Sequence, residues 1–317
     1  MNDAHLIDRR TLLVAAGTTG AGALTRTADE AAATSRPPVV VTRSVGALEV
    51  SCLLDAAGPF ELSTREEAFP DATAADWAAA RSIDPGAFGD DGGWHLNFQC
   101  FVITGPGSRI TLVDTGVGPT GSPAADWAPV PGRLPQALAE IGIEVGDVGL
   151  VVQTHLHADH VGWAVYPSGE PVFPRARYVV QHTEVAELEA AGSALVPYVV
   201  DPLRARGQLH EVHGRTHLAG GHGRAGQRIT AVPTPGHTPG HQSVVVSDGT
   251  SEIVVTGDVL VHAVQLGNPD VSYLFEDDHA RARGTRRMLL RRAQRQHALL
   301  ATAHLNRPFV HAAEGRL

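Results

Sequence analysis

One stretch constrains this chain more than any other: Gln153-Thr154-His155-Leu156-His157-Ala158-Asp159-His160-Val161-Gly162, directly after the apolar run Leu150-Val151-Val152. Alternate residues of an extended strand share a face, so His155 and His157 can converge on one ion. A tight turn after them would aim Asp159 and His160 at a neighbouring position. Four metal-competent side chains within six residues cost desolvation energy unless something binds them. The pattern predicts a metal site at a strand end.

Composition narrows the chemistry. The chain has 317 residues with 17 histidines, two cysteines and 25 cationic side chains, every one of them arginine. The absence of lysine excludes Schiff-base chemistry, a lysine general base and the P-loop lysine. No Gly-x-Ser-x-Gly elbow occurs, which sets aside serine hydrolases of that type. Two cysteines cannot build a disulfide framework, so a metal is expected on nitrogen and oxygen ligands. A net charge of −9 argues against nucleic acid or an anionic membrane as the main partner.

Residues 1–35 read apart from the fold. Arg9-Arg10 stands directly before a weakly apolar run of 13 residues, Leu12 to Leu24, and small residues suited to cleavage follow. That order is an export signal's, and the paired arginines point to the Tat route and a periplasmic or extracellular destination. The alternative is a disordered extension of a cytoplasmic protein with a chance Arg-Arg pair. The run is shorter than the roughly 20 residues a membrane span needs, and no later stretch is expected to span.

From residue 39 onward, short apolar runs alternate with loops rich in glycine and proline. Strands are expected over 39–41, 48–54, 98–104, 110–114, 150–154, 176–181, 229–232, 243–247, 253–256 and 298–302. Helices are expected over 133–141, 183–191 and 278–296, the first two ending at Gly142 and Gly192. The mixture fits one α/β layered domain over 36–317. Some motifs mislead. Gly116-x-Gly118-x-x-Gly121 matches a dinucleotide fingerprint, but Pro119 and Pro123 lie where its helix must run. Gly221-x-Gly223-x-x-Gly226 leads into a strand, and His210-Glu211-Val212-His213 has its histidines three apart rather than four. The seven arginines between Arg281 and Arg295 read as the solvated face of the last helix.

Further metal-competent residues follow other apolar strands: His237 and His241 in Thr234-Pro-Gly-His-Thr-Pro-Gly-His241, Asp258 after Ile253-Val-Val-Thr-Gly, and His304 after Ala298-Leu-Leu-Ala-Thr-Ala. Loops along one edge of a rigid sheet are where sites assemble. Taken with Asp114-Thr115-Gly116, this ordered set resembles the metallo-β-lactamase-fold hydrolases over nearly all of residues 39–304. The resemblance implies an αβ/βα four-layer sandwich with the metal site at one edge of the sheets. It implies that His155, His157 and His237 hold one ion, that Asp159, His160 and His304 hold a second, and that Asp258 bridges them. The group it resembles most contains N-acyl homoserine lactone lactonases and methyl-parathion-hydrolase-like enzymes. Lactonases of this type carry a substrate-orienting tyrosine three residues after the bridging aspartate, where this chain has Val261.

The expected cofactor is a pair of divalent ions, zinc first, with manganese, iron or cobalt also compatible. A bridging hydroxide would cleave a small apolar ester, lactone or phosphotriester, with Asp258 holding the ions and Asp159 passing a proton to the leaving group. The alternatives are a mono-iron oxidoreductase resembling persulfide dioxygenases, which needs only His155, His237 and Asp258, and a β-lactamase-like amidohydrolase. His241 is expected in a supporting role. Asp114 either orients a ligand histidine or closes a turn. The aromatics Phe60, Phe69, Trp77, Phe88 and Trp94 form either an apolar wall over the site or a satellite packing cluster. Trp127, Trp163, Tyr273 and His262 are further pocket candidates. The expected partner is a small molecule; oligomeric state stays open, a homodimer being one option.

Overall fold

The computed structural model describes residues 40–89, 92–219 and 226–315. The expected export segment, the first residue of the strand expected at 39–41, and most of the Gly221–Gly226 motif, His222 included, lie outside the described residues.

Among the described residues, thirteen strands form two sheets. The first contains β1 (Val41–Val45), β2 (Leu48–Pro59), β3 (His95–Thr104), β4 (Ile110–Val113), β5 (Val148–Val152), β6 (Arg177–Gln181) and β7 (Leu209–Val212), in that spatial order. The second contains β8 (Thr216–Ala219), β9 (Arg228–Pro233), β10 (Gln242–Ser247), β11 (Glu252–Val255), β12 (Leu299–Ala301) and β13 (Phe309–His311), also in spatial order. Pairing is antiparallel from β1 to β4 and parallel from β4 to β7. In the second sheet only β11 and β12 run parallel.

The central strands are largely apolar runs because both faces are buried. Successive residues point to opposite faces. Thus Phe101, Ile103, Leu150 and Val152 meet Val244, Val246, Ile253 and Val255 between the sheets. Their neighbours Cys100, Val102 and Val151 face outward onto Leu134, Leu138, Val185 and Leu188 of two helices. On the other side, Val245, Val254 and Leu300 pack against Leu289, Leu290 and Ala293 of the last helix. Helix, sheet, sheet, helix is the expected αβ/βα sandwich.

The three expected helices are present as Leu134–Glu140, His182–Ala191 and His279–Gln296, with Gly142 and Gly192 left-handed just past the first two. Strands β7, β8 and β13 were not expected. All three are edge strands, and β7 is only half-buried along its length, so it carries no apolar run to read. Helices Arg65–Ala68 and Ala74–Ile83 were also missed, although each opens on a capping box, Thr64 with Glu67 and Thr73 with Asp76.

The last helix corrects one expectation. Arg286 is not on a solvated face; it is fully buried. It falls in register with Ala282, Leu289, Leu290 and Ala293, the three- and four-residue spacing of the packed face. Its guanidinium donates to Val259 O at 3.0 Å, Pro269 O at 3.3 Å and Val271 O at 3.1 Å, and pairs with buried Glu276. Losing one partner of a buried ion pair strands the other in low dielectric. Arg286→Met should therefore lower unfolding free energy by about 3–5 kcal/mol in denaturant titration; a loss under ~1 kcal/mol, the range of an exposed pair, would refute this role.

Candidate metal centre

Strands β4, β5 and β6 run parallel, as do β11 and β12, and β9 lies two antiparallel steps from β11. Their carboxyl ends therefore open on one edge. All seven expected residues meet there. His155 and His157 leave β5, Asp159 and His160 lie on the single turn Ala158–Val161, His237 follows β9, Asp258 follows β11 and His304 follows β12.

They fall into three overlapping groups: His155, His157 and His237; His155, His160 and Asp258; and Asp159, His160 and His304. Asp258 stands between the two sides. Its Oδ2 lies 3.3 Å from His237 Nε2 and 4.0 Å from His155 Nε2. Its Oδ1 lies 3.3 Å from His160 Nε2 and 3.2 Å from His304 Nε2. Asp159 Oδ2 approaches the same two imidazoles at 3.5 and 3.6 Å.

Three of the five imidazoles are oriented from behind, and the bonds fix their tautomers. Asp114 accepts from the Thr154 N–H at 2.7 Å and from the Thr154 hydroxyl at 2.8 Å. The hydroxyl proton is thus committed to Asp114, so Thr154 Oγ1 accepts from His155 Nδ1 at 3.0 Å. His160 Nδ1 donates to the same Asp114 carboxylate at 2.9 Å, and His304 Nδ1 donates to Asn97 O of β3 at 2.9 Å. In all three the Nε2 lone pair is left facing the site. Asp114 therefore orients a histidine rather than only closing a turn, although its φ of +60° shows that it turns the chain as well.

Asp258 is fixed on both flanks. Its N–H donates to His241 Nε2 at 3.0 Å, and the His241 Nδ1–H is passed to Thr234 Oγ1 at 2.9 Å. Gly257 has φ +53°, and a Cβ there would stand 2.6 Å from His241 Nε2, so only glycine admits this contact. On the far side Arg286 holds Val259 O. His241 is the support that the sequence suggested. Thr154 and Arg286 were missed, and so was Glu184, whose buried carboxylate accepts from Leu156 N and Gly240 N, both at 3.0 Å, and from the Thr238 hydroxyl at 2.7 Å.

The residues fit divalent cations. His155 Nε2 and Asp258 Oδ1 are buried without a hydrogen bond, and His160 and His304 bring their Nε2 atoms to 3.2 Å. Two lone pairs at that distance repel unless a cation or a proton lies between them. Burial, followed by repulsion from His160 and His157, holds His155 well below the usual imidazole range, in its ligating neutral form. Burial opposes protonation of His160 and His304 too, but there Asp258 and Asp159 outweigh it and raise both. Five imidazoles and two carboxylates without a thiolate form a donor set for zinc or a neighbouring first-row ion.

The family follows from comparison with known proteins. A domain model described as the metallo-β-lactamase superfamily matches residues 99–304, which include all seven residues that meet at this edge. The chain belongs to the metallo-β-lactamase superfamily. It is 29% identical over 176 residues to the N-acyl homoserine lactonase AttM of Rhizobium radiobacter, covering 50% of this chain and 62% of that protein. It is 33% identical over 218 residues to metallo-β-lactamase domain-containing protein 1 of Mus musculus, covering 67% of this chain and 65% of that one. The chain thus spans about two thirds or less of these relatives. Among solved folds, the hydrolase AbOPH superposes with TM-score 0.69 at 21% identity over 86% of this chain and 92% of its own. The dizinc quorum-quenching lactonase AidC does so with TM-score 0.65 at 19% identity over 85% and 91%.

The aromatic segment packs. Phe69, Phe88 and Trp94 are buried, and Phe60 and Trp77 lie against the same core as the outer face of the second sheet. Two rings reach the site: Tyr273 lies parallel to His237 with centroids 6.1 Å apart, and Phe98 meets His304 edge-on at 5.7 Å. Trp127 is half-buried against Phe60 and Phe98. Trp163 is not a pocket residue, since its indole N–H is spent on Asp55 Oδ1 at 3.0 Å. Nor is His262, which is buried among Phe69, Trp77, Phe88 and Trp94 with ring centroids 5.4–5.6 Å away.

His262 Nδ1 accepts the Val264 N–H at 3.0 Å, and burial, reinforced by Arg65, depresses the ring from 6.5 to about 3. The folded state thus keeps it neutral while the unfolded chain takes up a proton below 6.5. Its contribution is complete above that value and is lost as pH falls towards 3. Between pH 7 and pH 5 the loss is about 2 kcal/mol. His262→Asn keeps an acceptor for the helix cap, so its unfolding free energy should fall less over that interval by about this amount; identical slopes for the two proteins would refute it.

Proposed function

We propose that the chain is a dinuclear metal-dependent hydrolase acting on a small apolar ester, lactone or phosphotriester. The observation that carries this reading is the division of the Asp258 oxygens, Oδ2 towards His155 and His237, Oδ1 towards His160 and His304. In this reading His155, His157 and His237 hold one ion, Asp159, His160 and His304 the other, and Asp258 bridges them. Two divalent ions, zinc in the first instance, would supply a hydroxide nucleophile near neutral pH and polarise the electrophile's oxygen. Asp159, the more exposed of the two carboxylates, is placed to carry a proton to the leaving group. Burial, then the carboxylates of Asp258, Asp159 and Glu276, holds the Tyr273 phenol well above its usual range, so it stays a neutral hydroxyl beside the site.

The lactone and phosphotriester alternatives draw on the lactonase relatives and on AbOPH. Val261 is buried and its N–H is taken by Gln265 Oε1 at 2.9 Å, so this position offers no substitute for a lactonase's orienting tyrosine. A mono-iron site would need only His155, His237 and Asp258, and would leave His160, His304 and Asp159 assembled within 3.6 Å of one another without a task. An export route through the N-terminal Arg9-Arg10 segment remains part of the proposal.

Metal content per chain, followed by turnover on lactones, aryl phosphotriesters, thioesters and β-lactams, tests the reading. Two zinc ions with hydrolytic turnover support it; one iron with oxygen consumption overturns it. Asp258→Ala should lose bound metal and more than ~100-fold in turnover, beyond what outer contacts to a metal site usually cost. Its far-ultraviolet circular dichroism should stay close to that of the parent. Undiminished turnover would show that Asp258 does not bridge.

A further inference from the structure

We infer that Glu184 is a positioning residue that sets the metal affinity of the His155–His157–His237 side alone. This rests on the two-ion reading above. The carboxylate lies on helix His182–Ala191 and is 3% exposed. Oε1 accepts the N–H of Leu156, the residue between His155 and His157. Oε2 accepts the hydroxyl of Thr238, which follows His237, and the N–H of Gly240. One carboxylate thus joins the two loops that supply the three histidines, through hydrogen bonds to two backbone N–H groups and the Thr238 hydroxyl.

The close approach is built into the backbone. A Cβ on Gly240 would stand 2.2 Å from Glu184 N and 2.6 Å from its Cα, so the loop after His237 can lie on the helix only with glycine there. The other side of the site has its own anchor. His160 is held by Asp114, and His304 by Asn97 O. Asp114 also reaches His155 through the Thr154 hydroxyl, but neither anchor bonds to Glu184, so the Glu184 contacts themselves fall on the His155–His157–His237 side.

Glu184→Gln keeps shape and volume but replaces one accepting oxygen with a donating amide. That amide must then face the Leu156 N–H or the Gly240 N–H, donor against donor, and one histidine loop is released. The strand ends beneath stay joined, because Gln242 N donates to Thr154 O and its side chain donates to Gln153 O, both at 2.8 Å. The variant should fold.

The test is chelator competition on the zinc-loaded protein, counting zinc per chain as chelator strength rises. The parent should release two ions in separable steps. Glu184→Gln should shift one step by about 10–100-fold in affinity, the usual effect of losing an outer contact to a metal site, and leave the other in place. Tyr178→Phe serves as the matched control. It removes a buried hydroxyl that bonds Ala164 O and accepts from Phe173 N, contacts outside the two loops that Glu184 joins, and should lower the melting temperature without moving either step. Unchanged steps in Glu184→Gln, or an equal shift of both, would overturn the inference. A parent that holds a single ion would instead refute the two-ion reading, and Glu184 would then be judged by whether the variant weakens that ion.

Discussion

A carboxylate buried among five imidazoles is tolerable only where the backbone around it cannot yield, and the placement of Asp258 is the constraint on which the rest of this edge depends. Its N–H is committed to His241 and the carbonyl of the next residue to Arg286. Both partners are buried, and each is held in turn: His241 by Thr234, Arg286 by Glu276 and two further carbonyls. The helix that closes the outer layer is therefore coupled through one guanidinium to the carboxylate at the centre of the site. An isolated buried charge would shift its protonation state or unfold its surroundings. Here burial does oppose ionisation of Asp258, and His304, His160 and His237 reverse it and hold the group well below the usual carboxylate range.

Direction matters as much as proximity. A neutral imidazole has one lone pair, and its orientation is decided by what the other nitrogen donates to. The Asp114 carboxylate settles two rings at once, His160 directly and His155 through the Thr154 hydroxyl. The backbone of β3 settles a third, His304, so the first sheet reaches across to orient a residue delivered by the second. The site is thus a property of both sheets, and neither strand edge could form it alone.

Much of the site was legible because it is local. The spacing His155-x-His157-x-Asp159-His160, and the repeated placement of His237, Asp258 and His304 after apolar runs, follow from strand geometry and chain order. The sandwich was legible for a similar reason: runs apolar on both faces require layers on both sides. Edge strands β7, β8 and β13 escaped because a strand with one neighbour needs no apolar run. Arg286 escaped because seven arginines obscured a helical register in which one of them had to face inward.

The sequence by itself determined which atoms could bind a metal, at which strand ends they would stand and in which order. Only the tertiary structure decided that Asp258 turns one oxygen to each side, that His262 and Trp163 belong to the packing rather than to a pocket, and that Arg286 and Glu184 brace loops far from them in sequence. The reason is physical. Ligand identity and strand-end position are carried by neighbouring residues, whereas orientation is carried by hydrogen bonds between elements 28 to 56 residues apart, as in the contacts of Glu184. Those bonds exist only once the two sheets have closed on each other.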